Sequence, residues 1–129
     1  MSGMLWMHDQ DWRPFIADMI TYGQHARAHA NGLDEAGFKA DLKTQHAVAR
    51  CVEIIGEAAK HVPEAVRERA PDTPWRDIIG ARNVLAHAYA RVDPAILWAL
   101  VNRELAVMER SLSALLDKAP KPDAGSDSR

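Results

Sequence analysis

The residues best suited to chemistry lie in one segment, residues 75–93, which reads WRDIIGARNVLAHAYARVD. Arg82 and Tyr89 are seven positions apart, so on an unbroken helix they fall within about 20° of one face. Asn83 and His87 are four positions apart and share the adjoining face. Glycine and alanine occupy several neighbouring positions, which leaves room above this helix for a ligand or for another backbone.

These side-chain types are suited to cutting RNA without a metal ion. An arginine offers a planar, permanently charged fork that matches a phosphate, and a histidine can move a proton near neutral pH. RNA supplies its own nucleophile, the 2′-hydroxyl, so the protein has to handle a proton and stabilise charge at phosphorus. Taken alone, the same residues also fit a structural helix with an exposed Arg82, a capping His87 and a packed Tyr89.

The chain around these residues has the apolar periodicity of helices and no competing strand pattern. The predicted fold is all-α, an antiparallel bundle of four to five helices. Thr73 is the expected N-cap of the helix that carries the segment, with Pro74 at its first position, and Asp93 with Pro94 begins the last helix. Helices are expected over residues 11–29 and 41–61, from 74 to at least 86, and over 93–117, with a short segment at 34–38 and a short helix at 64–69.

Two apolar stripes predict the position of the core. The helix over 41–61 has a buried face that suits a central element with neighbours on two sides, formed by Val48, Val52, Ile55 and Ala59. The last helix has a seam whose members step by 4, 4, 3, 4 and 3 positions, namely Leu97, Val101, Leu105, Met108, Leu112 and Leu115. Such a seam either closes the core or faces a second subunit.

Length and composition indicate one globular domain. The 129 residues are 47% hydrophobic and 26% charged, which permits a buried core. We expect a helical domain over residues 1–118 and a disordered tail over 119–129, which has nothing to bury. A net charge of −2 argues against nucleic-acid binding by bulk charge alone and leaves a local basic site open. A single cysteine and the lack of any run of about 20 apolar residues predict a cytoplasmic protein without a membrane span.

Four sequence elements together resemble one known family, the HepT-like HEPN ribonuclease toxins. RNVLAHAY at residues 82–89 matches the family's R-x-x-x-x-H-x-Y motif. IIGEAA at 54–59 resembles its I-I-G-E-A element, and PWRDI at 74–78 resembles its P-W-x-x-I element. Val92-Asp93 followed by Trp98 resembles the start of its last helix. The elements occur in the family's order, and the resemblance extends over residues 11–116.

The resemblance implies a metal-independent endoribonuclease that uses no cofactor and works as a homodimer or in a larger hetero-complex, with RNA as substrate. Arg82 would contact the scissile phosphate, His87 would be the general acid or base, and Asn83 would orient His87 or the phosphate. Tyr89 would contact substrate and would be the site of modification. Glu57, in the second element, is a candidate structural partner for an arginine.

The resemblance also implies a partner, a minimal nucleotidyltransferase antitoxin that neutralises the toxin by transferring AMP to Tyr89. An adenylyl group there would add bulk and negative charge to the face shared with Arg82, and would repel RNA. Dimerisation would bring two copies of Arg76, Arg82 and Arg91 to one cleft, which gives a slightly acidic protein a local positive site.

Two other functions stay open on the sequence. The same segment could belong to a non-catalytic module that binds a nucleotide or docks a nucleotidyltransferase, with Arg82 and Tyr89 as ligand contacts. Nucleotide binding without RNA cleavage would favour that alternative. A helical scaffold that only dimerises through the seam of the last helix is the third possibility, and it predicts no effect of changes at Arg82 or His87.

Other candidate groups are better explained by structure. His25 and His29 are four positions apart, but no carboxylate at fitting spacing joins them, so a solvated helix end is favoured over a metal site. Cys51 is expected to be a small buried filler. Trp75 and Trp98 are expected to anchor helix starts rather than to stack on bases. Glu53 lies one turn before Glu57 and is expected to be solvated.

Overall fold

The computed structural model describes residues 11–87 and 93–118. Every regular element in these two ranges is helical, which confirms the all-α prediction. In chain order they are α1 (Arg13–Ala30), α2 (Glu35–Lys39), α3 (Leu42–Lys60), α4 (Glu64–Arg67), α5 (Trp75–Leu85), α6 (Pro94–Ala99), a π-helical segment (Leu100–Glu104) and α7 (Leu105–Lys118). The predicted tail over 119–129 lies outside the described residues, and the division of the chain at residue 118 stays a prediction.

Acidic side chains define where three of these helices begin. Asp41 accepts a hydrogen bond from the backbone N–H of Thr44 at 3.0 Å and another from the Thr44 hydroxyl at 2.8 Å, which caps α3. Asp34 and Asp93 accept backbone N–H groups in the same way at the starts of α2 and α6. The caps satisfy amide groups that have no partner inside a helix. The predicted start at Asp93 is confirmed.

The prediction that Thr73 caps α5 is wrong. Pro74 occupies the N-cap position and makes no side-chain capping bond. Thr73 is buried, and its hydroxyl donates to Ser111 Oγ on α7 at 2.9 Å. A buried hydroxyl needs a hydrogen-bond partner, and here a tertiary partner takes it instead of the first turn of α5.

α3 is the central element of the bundle. It packs against α1 on one side and against α5 on another, while α1 also packs against α7. The predicted face of α3 is buried, as are all six members of the seam, so the seam closes the core of one chain. Burying one such aliphatic side chain contributes about 1.5–3 kcal/mol to folding. The most deeply buried large side chains are Ile16, Met19, Phe38, Ile55, Ile78, Leu105, Met108 and Leu112.

The last helix is interrupted where the sequence predicts one continuous helix over 93–117. The π-helical segment Leu100–Glu104 joins α6 to α7. From Leu97 to Val101 and on to Leu105 the seam takes two successive steps of four, and each such step turns an α-helix about 40° too far. The wider π-helical turn offsets this rotation, and all three side chains stay buried. In the described part of the chain, none of the helices has the length and apolar character needed to cross a membrane.

Candidate active site

The stem of Arg82 lies directly against the backbone of α3. Position 56 on α3 is a glycine, and a Cβ built there would lie 2.8 Å from Arg82 Cγ and 3.0 Å from the carbonyl oxygen of Ile78. It would clash still more severely with Arg82 Cβ. Gly56 therefore permits the close approach of α3 and α5 that sets where the Arg82 side chain starts.

The guanidinium group of Arg82 has two polar partners. Nη2 lies 2.8 Å from Glu57 Oε1, and Nη1 donates to Asn83 Oδ1 at 3.2 Å. Nε is buried and has no hydrogen-bond partner among the described residues. The side chain as a whole is 25% exposed. The expectation that Glu57 is a structural partner of an arginine is confirmed, and that arginine is Arg82.

Glu57 also approaches a histidine at the end of α3. Its other oxygen, Oε2, lies 3.6 Å from His61 Nε2, and the His61 ring stacks on Phe15 with centroids 4.7 Å apart and planes inclined by 16°. Together with Arg82 these residues line a cleft of about 440 Å³ between α1, α3 and α5. Sequence reasoning missed His61 and Phe15. His61 could have been found from its position four residues after Glu57. Phe15 could not, because its contact with His61 depends on how α1 packs on α3.

His87 lies just beyond α5 and not within it. The helix ends at Leu85, one residue short of the predicted minimum, because its last turn tightens into hydrogen bonds three residues apart, including His87 N–H to the Val84 carbonyl at 3.2 Å. The unbroken helix assumed for the shared face of Asn83 and His87 is therefore wrong. Both side chains are exposed. Arg82 and Asn83 are in contact, while His87 follows in the turn after the helix.

Tyr89 lies outside the described residues, and so does Arg91. The role of Tyr89 as a modification site stays a prediction, as does the convergence of Arg76, Arg82 and Arg91 on one cleft. Arg76 is exposed near the start of α5.

Cys51 and the two candidate tryptophans have packing or hydrogen-bonding roles in the fold. Burial raises the pKa of the Cys51 thiol, which opposes formation of the reactive thiolate. Trp75 donates its ring N–H to the Ala70 carbonyl at 3.0 Å, and Trp98 packs against Phe38 with centroids 5.5 Å apart. Trp75 anchors the start of α5 as expected, whereas Trp98 packs on the core from near the end of α6 and not from a helix start.

The other polar pairs are solvated. His25 and His29 are exposed on α1, and in the described ranges no group of three or more potential ligand side chains comes together that would hold a metal ion. Glu53 is partly exposed, pairs with Arg50 at 2.9 Å and lines the same cleft as Glu57 and Arg82.

Comparison with known proteins defines the class to which this fold and arginine site belong. A family model described as "Ribonuclease HepT-like" matches residues 19–115, which is most of the chain. The chain belongs to the HepT-like ribonuclease family, and the expectation of an all-α ribonuclease of this family is confirmed.

Individual relatives support the same assignment. The chain is 30% identical over 106 residues to "Putative RNase TTE0752" of Caldanaerobacter subterraneus, covering 82% of this chain and 95% of the relative. It is 28% identical over 106 residues to "Putative RNase MJ1380" of Methanocaldococcus jannaschii, covering 82% and 97%. It is 44% identical over 68 residues to "Probable ribonuclease HepT" of Thermococcus cleftensis, covering 53% and 62%. No solved structure matches the chain.

Proposed function

We propose that this protein is a metal-independent endoribonuclease whose working residues are Arg82 and His87. The observation that carries the proposal is the setting of Arg82, whose stem is fixed by the glycine of α3 and whose guanidinium is held by Glu57 and Asn83. An arginine fixed in this way is preorganised to receive a phosphate. Membership in a ribonuclease family makes an RNA phosphodiester the substrate that fits.

The proposed reaction is attack of the RNA 2′-oxygen on the adjacent phosphorus. The bond from phosphorus to the 5′-oxygen breaks, leaving a 2′,3′-cyclic phosphate on one fragment and a 5′-hydroxyl on the other. His87 handles one of the two protons that move, either from the 2′-hydroxyl or to the leaving oxygen. Arg82 stabilises the charge that builds up on the phosphate oxygens, and Asn83 orients Arg82.

We infer a dimeric or larger active species from the family resemblance. The chain has a net charge of −2, so attraction of RNA has to come from a local concentration of arginines. Two facing copies of the motif would double the positive charge of one cleft.

Control by AMP transfer forms part of the same proposal. The partner is a minimal nucleotidyltransferase antitoxin that transfers AMP from ATP to the hydroxyl oxygen of Tyr89, with loss of the hydroxyl proton and release of pyrophosphate. This chain is the toxin. The added phosphate would compete for Arg82 and repel RNA. Coexpression with such a partner should raise the intact mass by one or more AMP units, and Tyr89→Phe should abolish the increase. If the unchanged protein also kept its unmodified mass after coexpression, control by AMP would be refuted. The proposal of RNA cleavage would not be affected by that result.

Cleavage of a defined RNA in the presence of a metal chelator tests the enzymatic proposal. We expect cutting to persist, to leave 2′,3′-cyclic phosphate ends, and to stop at a position carrying a 2′-deoxy sugar because the nucleophile is gone. Nucleotide binding without any cleavage would instead support the non-catalytic module.

A further inference from the structure

We propose that Glu57 is a positioning residue for Arg82, which holds the guanidinium in the orientation that transition-state stabilisation requires. The inference rests on the proposed function. Glu57 would then do more than form a structural ion pair. It would act on the reaction through the position of Arg82, without contacting RNA itself.

The first support is that the Arg82 side chain is fixed at both ends. At its stem, Cβ and Cγ lie so close to α3 that a methyl group at Gly56 has no room. At its head, Nη2 meets the carboxylate of Glu57 at 2.8 Å. Gly56 and Glu57 are consecutive residues, so a single turn of α3 determines both ends of the arginine.

The second support is the number of donors that remain after these contacts. A guanidinium group has five N–H groups. Nη1 donates one N–H to Asn83 and Nη2 forms an ion pair with Glu57, while Nε is buried. Each Nη carries two N–H groups, so both Nη atoms keep an N–H that can bind a phosphate oxygen. Glu57 can hold the arginine without occupying the donors that a phosphate needs.

The third support is that Glu57 is itself restrained. Its second oxygen lies 3.6 Å from His61 Nε2, and His61 is stacked on Phe15 of α1. The carboxylate thereby lies between Arg82 of α5 and His61 at the C-terminal end of its own helix. A positioning group has to be placed by its own neighbours, because a loose carboxylate would transmit its mobility to Arg82.

Loss of a positioning residue should change the kinetics differently from loss of a negative charge that only repels RNA. Removing a negative charge beside a phosphate site should strengthen RNA binding, so KM should fall. If Glu57 positions Arg82, kcat should fall at the same time, since misplacement of a stabilising group costs rate. Loss of folded protein lowers the apparent kcat and leaves KM unchanged, so a lower kcat together with a lower KM is the combination that it does not produce.

The experiment compares Glu57→Gln and Glu57→Ala with the matched control Glu53→Gln. Glu53 lies one turn earlier on α3, lines the same cleft and pairs with Arg50, so its change removes the same charge from the cleft without removing a partner of Arg82. We expect kcat on an RNA oligonucleotide to fall about tenfold or more in both Glu57 variants, most in Glu57→Ala. Glu53→Gln should keep kcat within about twofold of the unchanged protein. The half-exposed Glu57 contributes little to folding, so the variants should fold.

A second measurement makes the result independent of RNA cleavage. Relaxation of the ¹⁵N-labelled Nε–H of Arg82 reports how rigidly the side chain is held. We expect a rigid group in the unchanged protein and in Glu53→Gln, and a mobile group in both Glu57 variants. Unchanged mobility, or increased mobility with unchanged or raised kcat, would overturn the positioning role. Absence of cleavage by the unchanged protein would instead refute the proposed function, while the relaxation data would still decide whether Glu57 fixes Arg82.

Discussion

Arg82 is placed where an arginine is not favoured on stability alone. Its Nε is buried without a hydrogen-bond partner among the described residues, and an unsatisfied buried donor costs about 1–3 kcal/mol. Residues that lower stability in this way are expected at functional sites. The two contacts of the Nη atoms offset part of this cost and fix the direction of the fork.

A residue-scale prediction concerns Gly56. Gly56→Ala should lower the free energy of unfolding by about 1–3 kcal/mol, because the added methyl group forces α5 away from α3. RNA cleavage should fall in parallel, since the same displacement moves Arg82. Urea denaturation and a cleavage assay on the same samples would measure both effects.

Gly80→Ala is the matched control for that change. A Cβ at Gly80 on α5 meets no atom within 4 Å, so alanine should stabilise the helix by up to about 1 kcal/mol. Equal stability of Gly56→Ala and Gly80→Ala would contradict the tight contact on which the position of Arg82 depends.

At the residue scale, the sequence indicated which residue types matter but not all of their partners. Arg82 and Asn83 are consecutive and were both predicted to belong to the site, and their side chains are in contact in the structure. The pairing of Arg82 with Glu57 depends on how α5 packs on α3, which no spacing within one helix reveals. The stacking of Phe15 on His61 depends in the same way on two helices far apart in sequence.

At the scale of elements, the start of α3 offers a test that depends on pH. The backbone N–H of Thr44, followed by its hydroxyl, lowers the pKa of Asp41 below its ordinary value of 3.8. A carboxylate with a lowered folded-state pKa stabilises the protein above its unfolded-state pKa, and this contribution is lost as pH falls through the folded-state pKa.

Replacement of Asp41 by asparagine isolates that charge, because asparagine is also a good N-cap. We expect the unchanged protein to be the more stable of the two near neutral pH, and the difference to disappear as the solution is acidified below the ordinary carboxyl pKa. Urea denaturation of both proteins across this pH range measures the difference. A difference that does not change with pH would show that the Asp41 charge plays no part in capping.

Helix periodicity predicted the elements better than it predicted their ends. The buried face of α3 and the seam of the last helix were readable because they lie within single helices. Thr73 was misassigned because its hydroxyl has a partner on α7, and a tertiary hydrogen bond leaves no local pattern. The π-helical segment was missed because an α-helical period was assumed for the whole seam. Two successive steps of four residues deviate from that period only slightly, so the pattern still resembled one α-helix.

At the scale of the whole molecule, the bundle brings α3 and α5 together at Gly56 and Glu57, the residues that define the arginine site. The packing of α1 and α7 completes the core. The core requires no second chain to bury the seam, so the inferred dimer has to use other surfaces. A protein of net charge −2 would then cut RNA through one local arginine site and not through a broad basic face.

The most direct test of this account is RNA cleavage by His87→Ala, measured with a metal chelator present beside the unchanged protein and His46→Ala. His46 is an exposed histidine on α3, about 16 Å along the helix axis from Glu57, which controls for the loss of a histidine as such. We expect His87→Ala to keep its helical fold and to lose cleavage by about a hundredfold or more, while His46→Ala cuts normally. Unchanged cleavage by folded His87→Ala would contradict the proposed role of the motif.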